Sequence, residues 1–250
     1  MVLPLAFNAD AESISEARYA HPVQRYGHFA LGRPHEYSTL LVSTRSGRKL
    51  ELRLADDEVF EDLAPRVVQL APDEPDEILS IVSRRGSGAR LVLFRPGPDG
   101  LALSAQSPAI GTPMRWLNPV GVADMDGDGR SEIAAVITPH IGGVLKLYRR
   151  SGRELVEVAA LSGFSNHVYG SPELALSMPM LVAGQMRLLA PDMARRQLRL
   201  IGLQGNQLVE LGRCALASPI SGAIWRVSEK EISVGLESGR QTLALDSCGR

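Results

Sequence analysis

The chain has 250 residues, 44% of them apolar and 22% charged, with a net charge of −1. That balance supplies no basic field for nucleic acid or for an anionic membrane, and the composition is not that of a disordered chain. No apolar run approaches the ~20 residues needed to span a bilayer, and the length suits one large all-β or α/β domain or two small domains.

The chain opens Met1-Val2-Leu3-Pro4-Leu5-Ala6-Phe7, which is apolar but short and lacks the basic start of a signal peptide. Two readings follow: a cytoplasmic protein, or an exported one whose signal has been removed. Cys214 and Cys248 form a single pair, either a disulfide in an oxidising compartment or two buried thiols.

Short apolar or alternating runs bounded by Gly, Pro, Asp and Ser recur along the chain, which is an all-β signature. Residues 13–20 are compatible with an amphipathic helix or with a strand ahead of Pro22. A four-strand unit then recurs. Its first copy spans 26–31, 39–44, 49–54 and 59–63, and the second 67–70, 78–83, 90–94 and 101–105. The third takes 120–123, 133–137, 144–148 and 155–160, and the fourth 180–183, 186–189, 197–201 and 208–214. A last unit has three strands, 223–227, 232–236 and 242–245. A period of about 40 to 55 residues is that of one propeller blade. The expectation is a single five-bladed β-propeller of four-stranded antiparallel blades, about 24–64, 65–111, 115–162, 178–216 and 220–250. The strand 14–20 is expected to complete the last blade and so close the ring.

Between the first two strands of the third unit lies Asp124-Met125-Asp126-Gly127-Asp128-Gly129-Arg130-Ser131-Glu132. Acidic side chains at relative positions 1, 3, 5 and 9, two glycines and the backbone carbonyl of Arg130 at position 7 describe an oxygen cage for Ca²⁺. An EF-hand loop would need Glu at position 12, and Ala135 stands there inside an apolar run. The expected ligands are Asp124, Asp126, Asp128, the Arg130 carbonyl and Glu132, with a structural role. The matching place in the second unit, Pro72-Asp73-Glu74-Pro75-Asp76-Glu77, keeps carboxylates without the glycines.

The order strand, Asp-x-Asp-Gly-Asp-Gly-x-x-Glu, apolar strand resembles the FG-GAP or VCBS repeat found in integrin α-subunit heads and many exported bacterial proteins. Only residues 120–160 carry it complete. The segments Arg115-Trp116-Leu117-Asn118-Pro119, Thr138-Pro139-His140-Ile141-Gly142-Gly143 and Gly163-Phe164-Ser165-Asn166-His167 are further similar to a group of uncharacterised bacterial VCBS-repeat proteins. The resemblance implies a propeller and an exported, periplasmic protein. It implies no activity.

On a propeller, segments 112–118, 139–143 and 164–177 would share the face opposite the calcium loop, and long loops on a rigid scaffold are where binding concentrates. The candidate ligand residues are Arg115, Trp116, Asn118, His140, Asn166, His167, Tyr169 and Glu173, with Asp192 and Arg196 at the margin. Arg115 suits a carboxylate, Trp116 a sugar or peptide, and His140 and His167 either proton transfer or a metal shared with Glu173. Packing and turn-capping roles stand beside each of these, and His21, His28 and His35 read as solvated or core-satisfied. The leading expectation is a monomeric, non-catalytic module binding a protein or glycan. The alternative is a carbohydrate-active hydrolase or lyase using Glu173 and Asp192.

Overall fold

The computed structural model describes residues 12–249; the apolar opening, residues 1–7, lies outside them. Nineteen strands and one 3₁₀ turn make up its secondary structure. The strands are β1 (Ile14–Val23), β2 (Glu36–Thr44), β3 (Lys49–Arg53), β4 (Glu58–Phe60), β5 (Arg66–Val68), β6 (Glu77–Arg84), β7 (Gly88–Gly97), β8 (Gly100–Gln106), β9 (Leu117–Ala123) and β10 (Glu132–Ile137). They continue as β11 (Val144–Ser151), β12 (Glu154–Ser162), β13 (Met178–Val182), β14 (Gln185–Pro191), β15 (Gln197–Gln204), β16 (Gln207–Ala215), β17 (Ile220–Arg226), β18 (Glu231–Leu236) and β19 (Gly239–Ala244). No helix among the described residues is long and apolar enough to cross a membrane.

The all-β class stands, but the expected closed five-bladed propeller is corrected by the strand pairing. The strands form one 12-stranded mixed sheet from β1 to β12, a four-stranded sheet β13–β16 and a three-stranded sheet β17–β19. Within the large sheet, β4 pairs with both β2 and β6, and β12 meets β8 through a parallel pairing of Glu154 with Gln106. The strand expected to close the ring does not reach the last unit. β1 pairs antiparallel with β2 from Ile14 opposite Thr44 to Val23 opposite Glu36. Its inward Tyr19 stacks on Tyr37 and Phe60, which fixes it in the first unit. The expected strand at 26–31 is instead a loop, as Gly27 (φ 78°) and Gly32 (φ 70°) break the extended backbone.

Burial patterns explain why the strands stack as they do. β6 is buried at every position but its last, and β10 is buried throughout. Both faces of these strands are therefore buried, as they are when a strand has a packed layer on each side. In β10, Ile133, Ala135 and Ile137 meet Leu79, Ile81, Leu91 and Leu93 of β6 and β7, while Ala134 and Val136 meet Leu188, Ala190 and Ile201 of β14 and β15. Two further clusters join β1–β4 to β6 and β7, and β14–β16 to β17–β19. Fully burying one such Ile or Leu contributes about 1.5–3 kcal/mol, so these interlayer contacts dominate the stabilising side. No hydrophobic cluster joins the last unit to the first among the described residues. Trp225 and Val227 at and just beyond the end of β17 remain 58% and 57% exposed, consistent with an uncovered terminal sheet.

Cys214 on β16 and Cys248 after β19 form a disulfide with Cα atoms 4.5 Å apart. The Arg213 N–H, next to it, donates to the Gly249 carbonyl (2.7 Å), tying the last sheet to its neighbour.

Candidate functional site

Four loops meet at one end of the stacked sheets: residues 24–35, 107–116, 138–143 and 163–177. The last crosses back to the first. The Tyr169 hydroxyl donates to the His28 carbonyl (2.8 Å), and the Gly170 N–H donates to the Ala30 carbonyl (2.8 Å). The backbones come so close that a Cβ on Gly32 would stand 2.2 Å from the Gly170 carbonyl oxygen, so glycine is required there. Two non-glycine residues hold a left-handed backbone on the same rim, Met114 (φ 53°) and the β-branched Thr138 (φ 50°). Such conformations cost of order 1–3 kcal/mol each and persist where their surroundings over-determine them. Here the Thr138 N–H donates to the Trp116 carbonyl (2.9 Å).

These loops enclose a cleft of about 70 Å³ lined by His28, Met114, Arg115, Trp116, Thr138, His140, Ile141 and Tyr169. The floor is rigid. Trp116 is 1% exposed, donates its indole N–H to the Glu61 carbonyl (2.8 Å) and lies parallel to the His140 ring with centroids 6.0 Å apart. His140 and His167 are hydrogen-bonded ring to ring (Nε2 to Nδ1, 2.8 Å), and His167 Nε2 reaches the Ser171 carbonyl (2.9 Å). A carbonyl only accepts, so His167 carries its proton on Nε2 and accepts on Nδ1. His140 must then donate from Nε2, which leaves its Nδ1 as a lone pair. Burial, with the neighbouring His167, His28 and Arg195 adding to it, pulls His140 down to about 4. Burial does the same to His167, also to about 4, against the opposing pull of the Ser171 carbonyl. Both rings are neutral at physiological pH.

The rest of the predicted set divides. Asn118 and Asn166 are fully buried and exchange hydrogen bonds, each amide donating to the other's backbone carbonyl (3.1 and 3.2 Å). Tyr169 is 58% exposed and its ring forms T-shaped contacts with His140 and with His28. Glu173 is turned to its own loop, accepting the Ala175 N–H (2.8 Å), and Asp192 likewise accepts the N–H groups of Arg196 and Gln197. With both His167 nitrogens occupied and Glu173 engaged elsewhere, the three are not gathered as metal ligands.

Two residues outside the predicted set join the site, His28, which reads from the sequence as solvated or core-satisfied, and Glu61. His28 donates Nδ1–H to Glu61 (2.6 Å), and Glu61, 1% exposed, also accepts the Ser83 hydroxyl. Burial raises the Glu61 carboxyl above its ordinary range against the lowering effect of His28. Glu36, also buried, accepts the N–H groups of Gly27 and His28 (3.1 Å each), which seats the loop. The glycines at 27 and 32 were the signal for a loop here, and Glu61-Asp62 inside the apolar run 59–64 was the signal for a buried charge.

The acidic loop lies between β9 and β10. Carboxylate oxygens of Asp124, Asp126 and Asp128 fall within 4.8 Å of one another, the one such group of three among the described residues. Asp124 accepts the N–H groups of Gly127, Asp128 and Gly129 at 2.7–3.2 Å, so the backbone curls around it without help. Three hard oxygen donors on a pre-curled loop fit a hard cation. Glu132 is placed differently. It is 1% exposed, accepts the Met125 N–H (3.0 Å) and is held by Arg149 (2.5 Å), which also grips Asp126 (2.5 Å). Arg130, whose carbonyl was the expected backbone ligand, pairs its guanidinium with Glu74. In segment 72–77 the carboxylates go to cations as well, Glu77 to Arg150 (2.7 Å) and Glu74 to Arg130.

No family model matches the chain, and no curated protein matches it.

Proposed function

We propose that the protein is a non-catalytic interaction module that receives a protein or glycan partner at the cleft between the four loops. The observation that carries this reading is the contrast at the cleft's rim. Met114, Ile141 and Tyr169 are 40%, 60% and 58% exposed, yet they stand on a floor of buried Trp116 and His167 and half-buried His140, the two histidines hydrogen-bonded to each other and both rings packed on the indole. Large exposed side chains held rigidly around a hollow are what a recognition surface requires, since little ordering entropy remains to be lost on binding. The two carboxylates a glycosidase reading would use, Glu173 and Asp192, are spent on N–H groups of their own turns, which favours binding over hydrolysis.

Calcium belongs to the same proposal as a structural ion. Asp124, Asp126 and Asp128 would hold it and the ion would neutralise their mutual repulsion, in keeping with the resemblance of this loop to the FG-GAP or VCBS repeat. The Cys214–Cys248 disulfide favours an oxidising compartment, and hence export.

The test is a printed array of glycans and peptides probed with wild type, an Ile141→Ala, Tyr169→Ala double variant, and a Val156→Ala, Trp225→Ala control altered at exposed sites outside the cleft. Tenfold or greater loss confined to the rim variant is expected. Equal binding by rim and control variants would remove the cleft from consideration.

A further inference from the structure

We infer that the cleft selects an acidic sugar, a pyranose ring carrying a carboxylate. This rests on the reading of the cleft as a binding site and names its ligand.

Three features each demand a different part of such a ligand. The first is charge. Arg115 lines the cleft and is hydrogen-bonded only to the Met114 carbonyl (3.1 Å), with no carboxylate partner among the described residues. Arg195, whose guanidinium reaches the Ser165 hydroxyl (3.4 Å) two residues before His167, has a buried Nε with no partner. The buried carboxylate beside His28, Glu61, is already engaged by His28 and Ser83. A guanidinium without a carboxylate partner, with Glu61 engaged elsewhere, favours a carboxylate and disfavours a lysine or arginine side chain.

The second is the lone pair. The Ser171 carbonyl fixes the proton on His167 Nε2, so His140 must donate to His167 and turn an accepting Nδ1 outward from that pair. An acceptor beside a carboxylate-binding arginine is satisfied by a ligand that also donates. An aspartate or glutamate side chain has no donor to offer, whereas a sugar hydroxyl does. The third is the Tyr169 ring, 58% exposed and held by its own hydroxyl on the His28 carbonyl. It offers a fixed apolar face to the C–H face of a pyranose. A carboxylate, hydroxyl donors and an apolar ring face occur together in a uronic acid residue.

Isothermal titration of wild type with a galacturonate or glucuronate oligosaccharide, its carboxyl-reduced form and an acidic peptide tests this. The uronide should bind at least tenfold tighter than the carboxyl-reduced sugar. Arg115→Met should abolish that preference by lowering affinity for the uronide at least tenfold, and the ligand-side comparison stands even if the variant folds poorly. Equal affinity for the two sugars overturns the assignment. Binding of the peptide alone, lost in Tyr169→Ala, overturns the sugar but leaves the cleft as a binding site. Uronide binding that Tyr169→Ala does not weaken overturns both.

Discussion

The proton positions in the His140–His167 pair give the site a defined response to acid. Each ring titrates near 4 in the folded chain and near its ordinary 6.5 once unfolded, because folding strips its water. Between those values the unfolded chain binds more protons, so stability is full above about pH 6.5 and is lost as pH falls toward 4. Below 4 these groups contribute no further change. Glu61 works in the opposite sense, since its raised carboxyl takes up a proton in the folded state first. Urea midpoints of wild type against a His140→Gln, His167→Gln double variant therefore isolate the histidines. The wild type should lose the larger share of its stability between pH 6.5 and 4, and parallel curves would show that the pair does not stay neutral on folding. Protonating His167 Nδ1 also sets two donors against each other across 2.8 Å, so acid should loosen the 163–177 loop first.

Among the elements, the β9–β10 turn poses the sharpest competition. Arg149 occupies Glu132 and Asp126 at once, a cation already placed where calcium would compete for Asp126. At a calcium concentration 100 times Kd the ion would add about 2.7 kcal/mol. For a chain of this size that is roughly a 5–10 °C rise in Tm. Calorimetry with and without chelator should show the rise in wild type and its absence in Asp124→Ala. Arg149→Gln should bind calcium several-fold tighter while lowering the calcium-free Tm, because Glu132 would lose its buried partner; weaker binding would assign Arg149 to shaping the turn instead. The sequence displayed this loop plainly, since carboxylate spacing and glycine placement are local properties. It did not display where Glu132 points, which depends on Arg149, a residue on another strand. The same limit hid His28: its partner Glu61 lies 33 residues away, and only the fold brings an isolated histidine to a carboxylate.

For the molecule as a whole, alternation of side chains carried the all-β class and most strand positions, because the pleat is set residue by residue. Connectivity between units was not legible in the same way. β1 buries only Ile14 and Tyr19 outright, too weak a pattern to specify a neighbour, and it was Tyr19 stacking on Tyr37 and Phe60 that chose it. The disulfide is the corresponding long-range choice at the other end. It closes a loop of 34 residues' separation and fastens the three-stranded sheet to β16. Removing it with a Cys214→Ser, Cys248→Ser double variant should cost roughly 3–4 kcal/mol by the loop-entropy relation. Hydrogen exchange should then show β17–β19 losing protection before the rest. Uniform loss across the sheets would show that the layers unfold together and that the bond is not what holds the last one.

The bond from Tyr169 to the His28 carbonyl spans 141 positions of the chain. Contacts that distant in sequence form late, after local hairpins have condensed, because the intervening chain must first be ordered. A nascent or truncated chain ending before residue 163 would hold the strands of the 12-stranded sheet but lack Tyr169 and the loop that closes the cleft. Ligand capture at this cleft would thus report on completed maturation, so that refolding followed by ligand recovery should lag refolding followed by β-sheet signal.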